Sequence, residues 1–574
     1  MAIKSFGKRY FTMKKSVIAA VLAMSVLFCA CSKKTSESST ESETTASSSE
    51  TSATTSEKET ETSAEPTVTS KVDPVSYDAP AFKKAGYLSY EIEKEEAFTF
   101  LSKDFSSEDI TGYNCIEYYY GFTGLPVFSG DNAGKINEAV KEDYEKILPN
   151  AKEYLEGRKK EYAEKLGTEP YGIEGEENLL PVVLRADERI TTVYYPLPLN
   201  QDNEKDLSSK NLINYDTATG KQIALSEVVK DKARLVEMAK EQIMANMTEY
   251  DLETIKEADV LAALNADDVP FTIDYSGITV YFDQTITRSY SYAPAHIAYI
   301  GNEDVLNGEY FDSLPENYVL HISPKEDFYW DLDGDGKTEK IYVDIDQGKQ
   351  YYEMGSFTIK IDDQETKVDT SNSNGDESAD TLMLIHTHGK NFLYIWVGGE
   401  DDRMSIDIFE IVGKNVEQKD GAGKWKMAPW ENFDPDHVEL VDEVYVVGLE
   451  TYSAVYHIDD QGMPVTDDET VSLVSYYGQI FPCLKKELKV DQVDPETLEK
   501  TGSVTLKAGT SLWPVLTDRK GKADKSFEVF KVIDKDQTKE VYVRVDLSYD
   551  ADEWEATLDG AALEDVFVRV FRGA

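Results

Sequence analysis

Asp331, Asp333 and Asp335 alternate along the segment Trp330-Asp331-Leu332-Asp333-Gly334-Asp335-Gly336-Lys337-Thr338-Glu339. Counted from Asp331, carboxylates fall at positions 1, 3, 5 and 9, with Gly336 at 6 and Lys337 at 7. Alternate side chains of such a loop converge on one point, Gly336 permits the sharp turn between them, and Lys337 can offer its backbone carbonyl. Hard oxygen donors in this number suit Ca2+. The alternative is a metal-free Asp/Gly hairpin, in which three crowded carboxylates repel one another with no cation between them.

The flanks of the loop narrow the choice. An EF-hand needs a glutamate at position 12 and a helix on each side. Here position 12 is Tyr342, and Lys340-Ile341-Tyr342-Val343-Asp344-Ile345 alternates as a strand does. The segment therefore resembles the calcium loops of FG-GAP repeats in integrin-like and other secreted β proteins. That resemblance implies a Ca2+ site made by Asp331, Asp333, Asp335, Glu339 and the Lys337 carbonyl, set in an all-β module. Only one strong copy occurs, so a propeller of equal repeats is not expected.

Other candidate chemistry is thinner. His386-Thr387-His388 places two imidazoles on one side of a strand, with Glu400-Asp401-Asp402 following, an arrangement open to a transition metal and equally to an ordinary polar strand face. His296, His321, His437 and His457 are scattered, with no partner implied by their spacing. There is no His-Glu-x-x-His, no Gly-x-Ser-x-Gly and no phosphate-cradling glycine loop. Acid pairs that would serve a glycosidase cannot be told apart among 109 carboxylates. The expectation is a protein that is not an enzyme, with no catalytic residues to name.

Composition sets the partners. The 574 residues carry 59 basic and 109 acidic side chains, a net charge of −50. A surface this acidic repels phosphate backbones and anionic headgroups, so nucleic acid is excluded and cations or basic proteins are favoured. The length allows roughly three or four domains.

The first residues read as an address. Lys4, Lys8, Arg9, Lys14 and Lys15 precede an apolar run from Val17 to Ala30, and translation can start at Met1 or Met13. The run is about 14 residues, short of the roughly 20 that span a bilayer. It ends Leu27-Phe28-Cys29-Ala30-Cys31-Ser32, which resembles a bacterial lipobox with small Ala30 before the cysteine that takes the lipid, Cys31. A secretory signal cleaved nearby, with Cys31 incidental, is the alternative. From Ser32 to about Pro74 the chain is almost wholly Ser, Thr, Glu and Ala and buries too little to order itself. The expected layout is a lipoprotein signal peptide at 1–30, then the lipidated cysteine and a disordered linker at 31–75. Such a layout belongs to a lipoprotein on the extracellular face of the cell membrane of a Gram-positive bacterium. The remaining cysteines, Cys115 and Cys483, are far apart and read as buried free thiols rather than a disulfide.

Two folded regions follow. In 76–315, Tyr113 to Tyr120 reads as a strand, Gly121 to Gly130 as a turn-rich connection, and Ala133 to Leu166 as two helices divided at Pro149-Asn150. Strands at Pro181–Leu184, Ile190–Tyr195 and Leu212–Leu225 precede helices with Leu235, Ala239 and Ile243 on one stripe, and Phe271–Phe282 forms a hairpin about Ser276-Gly277. This order predicts an α+β domain on a mostly antiparallel sheet. From 316 to 500 short strands and Asp/Gly turns predict an all-β domain, with a small separate β unit at 501–574.

Three blocks of the first region carry a more specific likeness. Leu125-Pro126-Val127-Phe128-Ser129-Gly130 with the Lys135-Ile136-Asn137 helix, then Asn214-Tyr215-Asp216 through Gly220-Lys221 to Leu225, then Phe271 to Phe282 with Tyr292-Ala293-Pro294-Ala295, resemble in order the extracellular domain shared by the anti-sigma factor RsiV and the peptidoglycan deacetylase PdaC. The closing block departs from that pattern at His296 and Ile297. The resemblance implies a lysozyme receptor or a partner of a glycan-modifying domain. The chain has neither the sigma-binding segment of the first nor the His/Asp metal motif of the second. The expected role is non-catalytic binding at the envelope, of peptidoglycan or of a basic protein such as lysozyme. The alternatives are an accessory or enzyme of peptidoglycan modification, hydrolase- or deacetylase-linked, and a structural adhesion or spacer protein.

Overall fold

The computed structural model describes residues 76–567 apart from 103–116, 131–132, 166–173, 197–210, 247–255, 267–268, 282–294, 347–355, 370–377, 399–403, 420–425, 428–433, 446, 448, 475–481, 519–524, 534–539 and 551–554. Cys31, the signal, the Ser/Thr/Glu segment, Cys115 and Glu400 to Asp402 lie outside the described residues. The described chain is mostly β and consists of several sheets, an α+β part followed by all-β layers.

Strands Ser89–Ser102 and Glu117–Ser129 pair antiparallel, and the second pairs in parallel with Glu174–Leu179 on its other side. The turn-rich connection expected from Gly121 is thus part of a single long strand. Gly121 and Gly124 provide room rather than a bend: a Cβ on Gly121 would stand 2.4 Å from the Phe98 ring, and one on Gly124 2.7 Å from Ile92 and Leu180. Across this sheet lies helix α1, Ala133–Lys165, 33 residues without a break. The division expected at Pro149 does not occur. An interior proline costs about 3 kcal/mol, but both halves of the helix are anchored. Ile136, Val140 and Tyr144 pack with Phe128, Val183 and Tyr215, while Ala151, Leu155 and Tyr162 pack with Phe98, Tyr119 and Leu179. Each large apolar side chain buried contributes about 1.5–3 kcal/mol, which outweighs the proline.

Two small antiparallel sheets complete the α+β part. Val182–Ala186, Ile190–Tyr194 and Leu212–Asp216 form one, and Phe271–Ile273, Gly277–Val280 and Ala295–Ala298 the other. Helices α2 (Lys232–Asn246) and α3 (Glu257–Leu264) cover the latter. Leu235, Ala239, Ile243, Val260 and Leu264 meet Ile273, Ile278, Val280 and Ile297 in one core. Asn214 joins the two sheets, accepting a hydrogen bond from Thr192 Oγ1 (2.9 Å) and donating one to the Phe271 carbonyl (2.7 Å).

Beyond residue 315 the architecture is three β layers. A four-stranded sheet (Phe328–Trp330, Glu339–Asp346, Ser356–Ile361, Gln364–Asp369) faces a five-stranded sheet (Tyr318–Ile322, Ser378–Thr387, Lys390–Gly398, Met404–Val412, Asn415–Gln418). Trp330, Ile341, Val343 and Phe357 meet Leu384, Leu393, Ile395 and Phe409 between them. The other side of the five-stranded sheet, with Met383, Phe392, Tyr394 and Trp396, is covered by the third layer through Leu440, Tyr456, Leu512, Phe530 and Val545. A sheet buried on both faces accounts for the nearly unbroken apolar runs Thr381–His386 and Phe392–Val397.

The third layer is one sheet running from Lys426 to Ala562. The boundary expected at 500/501 falls inside it: Lys500–Leu506 pairs with Leu488–Val493, and Thr470–Val474 pairs with Ser511–Asp518. Val438–Tyr445 and Leu449–Ile458 pair antiparallel within it. Cys483 is buried in this layer. No helix among the described residues is long and apolar enough to cross a membrane.

Candidate functional site

The Asp-rich segment is the loop of the hairpin in which Phe328–Trp330 pairs with the start of Glu339–Asp346, Trp330 standing opposite Glu339. Strands, not helices, flank it, as the sequence implies. Gly334 and Gly336 have φ of 76° and 86°, a region glycine enters without cost, and no atom lies near enough to fill the space of an added Cβ.

The loop is wound by its own carboxylates. Asp331 accepts from the Gly334 amide through Oδ1 (2.7 Å) and from the Gly336 amide through Oδ2 (3.0 Å). Asp333 Oδ1 accepts from the Asp335 amide at 3.1 Å, and Asp335 Oδ1 from the Lys337 amide at 2.8 Å. One ligand oxygen from each of Asp331, Asp333 and Asp335 lies within 4.8 Å of the others. An ionised carboxylate has about four lone-pair sites, so each retains acceptor capacity beyond its amide bonds. The donor set is hard, anionic and convergent, and it fits Ca2+.

Glu339 stands apart from that group. It is almost buried, and its Oε2 accepts from the Leu332 amide at 2.8 Å, closing the base of the loop. Burial raises its carboxyl above the usual value, and the negative charges of Asp333, Asp362 and Asp331 add to the rise against the Leu332 hydrogen bond. The predicted ligand set is thus split. Three aspartates converge, and Glu339 holds the loop from within.

Lys337 has a second task that its spacing did not suggest. Its ammonium pairs with Asp78, and residues 77–79 run antiparallel to the end of the loop. The Ala79 amide donates to the Gly336 carbonyl (3.1 Å) and the Thr338 amide to the Tyr77 carbonyl (3.0 Å), bonds that do not use the Lys337 carbonyl. Tyr77 packs edge-on against Tyr329, and Phe82 stacks on Trp330. The first described residues of the chain are therefore fastened to the loop and its hairpin. Partners some 260 positions apart leave no local signal.

The two histidines expected on one strand face are separated. His386 is the last residue but one of the Ser378–Thr387 strand, its Nδ1 bonded to Asn391 Oδ1 (2.8 Å) and its ring stacked on Tyr318. His388 lies in the following turn with φ of 52°, its Nε2 at 3.1 Å from the Ile458 carbonyl. Each imidazole is held by a different partner.

His296, for which spacing implied no partner, has two. Its Nε2 lies 3.1 Å from Asp274 Oδ2 and 3.1 Å from Ser276 Oγ. Asp274 Oδ1 accepts from the Ser276 amide (2.7 Å), the Ser276 hydroxyl (2.7 Å) and the Gly277 amide (2.8 Å). Burial alone would push the His296 imidazole down, but the Asp274 carboxylate, helped by Glu326, holds it above the usual histidine value. Burial opposes the charge on Asp274 too, yet His296 and the Ser276 hydroxyl keep its carboxyl well below the carboxylate range. This is not a Ser-His-Asp relay, because one nitrogen of the imidazole meets both partners and the serine already donates to the aspartate. The Asp-x-Ser-Gly turn that builds the cluster is visible in the sequence. Its pairing with a histidine 22 positions away is not.

The fold and site define a class only: a multidomain, mostly β protein with an Asp-rich loop between strands. No protein-family model and no curated protein matches the chain. Among solved structures, a DUF3298 family member from Bacteroides fragilis aligns over 40% of this chain and 98% of its own, at 14% identity and a TM-score of 0.25. A likeness at that score carries no argument about fold or function.

Proposed function

We propose that the protein is a lipid-anchored lipoprotein of the extracellular face of a Gram-positive membrane. It binds a ligand of the envelope without catalysis, either cell-wall glycan or a basic protein such as lysozyme, and Ca2+ stabilises its Asp-rich loop. The address at Cys31 and the Ser/Thr/Glu stalk supply the location. The net charge of −50 supplies the preference for basic partners.

The observation that carries the reading is the convergence of the three resembling blocks. The turn of the second block lies on the helix of the first, where a Cβ on Gly220 would stand 2.6 Å from the Lys135 carbonyl. Tyr215 of the second block donates to Asp143 of that helix (2.8 Å), and Asn214 donates to Phe271 of the third (2.7 Å). The described parts of these segments, from which Phe282 and Tyr292 to Pro294 are excluded, thus form one contiguous body. The runner-up, an enzyme or accessory of peptidoglycan modification, would need a catalytic constellation that neither the carboxylate loop nor the His296 cluster supplies.

The test is retention of the full chain by immobilised lysozyme and by purified peptidoglycan at low and moderate salt. Retention of lysozyme that weakens as salt rises is the expected result, since charge-led association is screened beyond about 8–10 Å at physiological ionic strength. Salt-independent retention on peptidoglycan places the ligand in the glycan. Retention by neither overturns the reading, and release of sugar or acetate establishes the enzyme.

A further inference from the structure

Between α2 of the α+β part and the Ser323–Phe328 segment of the β part lies a pocket of about 100 Å³. Met238 and Gln242 of α2, His296 and Asn302 from the strand and turn beside it, and Ser323 and Glu326 opposite contribute to its wall. A cavity of 150 Å³ holds a benzene, so this one takes about four non-hydrogen atoms.

The wall has both signs of hydrogen bonding. His296 Nε2 lies 3.1 Å from Asp274 Oδ2, and that carboxylate favours the protonated imidazole, whose second nitrogen Nδ1 then carries a proton as well. Glu326 offers a carboxylate, partly buried and with no lysine or arginine paired to it among the described residues; the neighbouring acid Asp327 is met by Lys340 at 3.4 Å. Asn302 spends its amide N–H on the Ala298 carbonyl (2.9 Å) and keeps its oxygen as an acceptor. Gln242 can present either end of its amide. Met238 and Ala298 add apolar surface.

His296 and Glu326 give the wall groups of opposite sign, so an ion of either charge is repelled by one of them while a neutral group with an acceptor at one end and a donor at the other suits both. A neutral group that accepts from His296, donates to Glu326 and ends in a methyl beside Met238 satisfies every wall. We propose that this pocket is a binding site for an acetamido group, carried by an N-acetylated sugar or by another acylated amine. The site is independent of the Asp-rich loop and does not rest on the envelope reading.

The test is saturation-transfer NMR on the full chain with N-acetylglucosamine and N-acetylethanolamine as probes, and with glucosamine and glucose as controls. Saturation is expected at the acetyl methyl of one or both probes and at neither control. Binding of both probes means that the pocket reads the acetamido group alone; binding of only the first adds a contact to the sugar. Glu326→Ala is expected to weaken the signal about tenfold or more, the loss of a hydrogen bond to a charged group. Ala298→Leu, which fills the space, is expected to abolish it, and Gln242→Ala at a half-buried position of α2 provides a further variant should either alter the melting temperature. No transfer to either acetyl methyl, equal transfer to glucosamine, or parent-like signals in variants that fold as the parent does would overturn the proposal.

Discussion

Arg185→Ala is expected to destabilise the α+β part by about 3–5 kcal/mol, the cost of leaving a buried charge without its partner. Arg185 is 5% exposed and Asp187 fully buried, with Nε donating to Asp187 Oδ2 at 2.7 Å. The guanidinium also donates from Nη1 to the Asp274 carbonyl (3.0 Å) and lies 4.2 Å over the Tyr275 ring, so one side chain ties the Val182–Ala186 strand to the Phe271–Val280 hairpin. Asp187 cannot respond by moving into water, because its Oδ1 receives the Arg189 and Ile190 amides at 2.7 and 2.8 Å. Arg185→Lys keeps the charge but loses the fork that reaches both partners, and should fall between the parent and the alanine variant. Urea unfolding followed by far-UV dichroism measures the series. A cost below about 1 kcal/mol for Arg185→Ala would put the pair in the range of exposed salt bridges and contradict its burial.

Trp396→Ala carries the other large effect, again about 3–5 kcal/mol. The side chain is 1% exposed on the central strand of the five-stranded sheet, facing the third layer. Its cluster reaches from Val319 to Phe567 and so takes in residues from both sides of position 500. The layers are therefore expected to lose stability together. Amide exchange should accelerate at Leu320 in the five-stranded sheet and at Phe530 in the third layer alike. Acceleration confined to residues before 500 would restore the separate C-terminal unit that the sequence suggested.

That boundary illustrates what could be read in advance. Alternation and turn residues located the strand after the Asp-rich loop and the all-β character of the chain beyond 315, since period and turn chemistry are local. Pairing between Thr470–Val474 and Ser511–Asp518 is not local, and a composition that shifts little across 500 offers no mark of it. The same holds for α1, where Pro149 argued for a break and packing at both ends overruled it. Gly121 and Gly124 misled in the opposite sense, because a glycine that makes room for a neighbouring ring looks in sequence like one that makes a turn.

The loop followed the same division. The convergence of Asp331, Asp333 and Asp335 was legible because it is written in five consecutive residues and two glycines of positive φ. Glu339 at position 9 looked like a further ligand, yet the first residue of a paired strand points where the ladder sets it, and here that is toward the Leu332 amide. Asp78 and Tyr77, which fasten the loop from the far end of the folded chain, had no signal at all. The His296 cluster lay in the one stretch that departs from the RsiV/PdaC pattern, and what had read as a defect in a resemblance is a built arrangement of Asp274, Ser276 and imidazole.

That the Asp-rich loop is a cation site rather than a crowded hairpin is most directly tested by thermal unfolding of the full chain with excess Ca2+ and with chelator, at neutral pH and near pH 4.5. The folded-state pKa of Glu339 lies above its ordinary value of 4.5, so protons stabilise the metal-free fold and that stabilisation fades as pH rises through the raised pKa. Ca2+ favours the ionised carboxyls instead. The account predicts a Tm that rises with Ca2+ at neutral pH, a smaller rise near pH 4.5, and none in Asp333→Ala. A parent protein whose Tm is the same with Ca2+ and with chelator at neutral pH would contradict it.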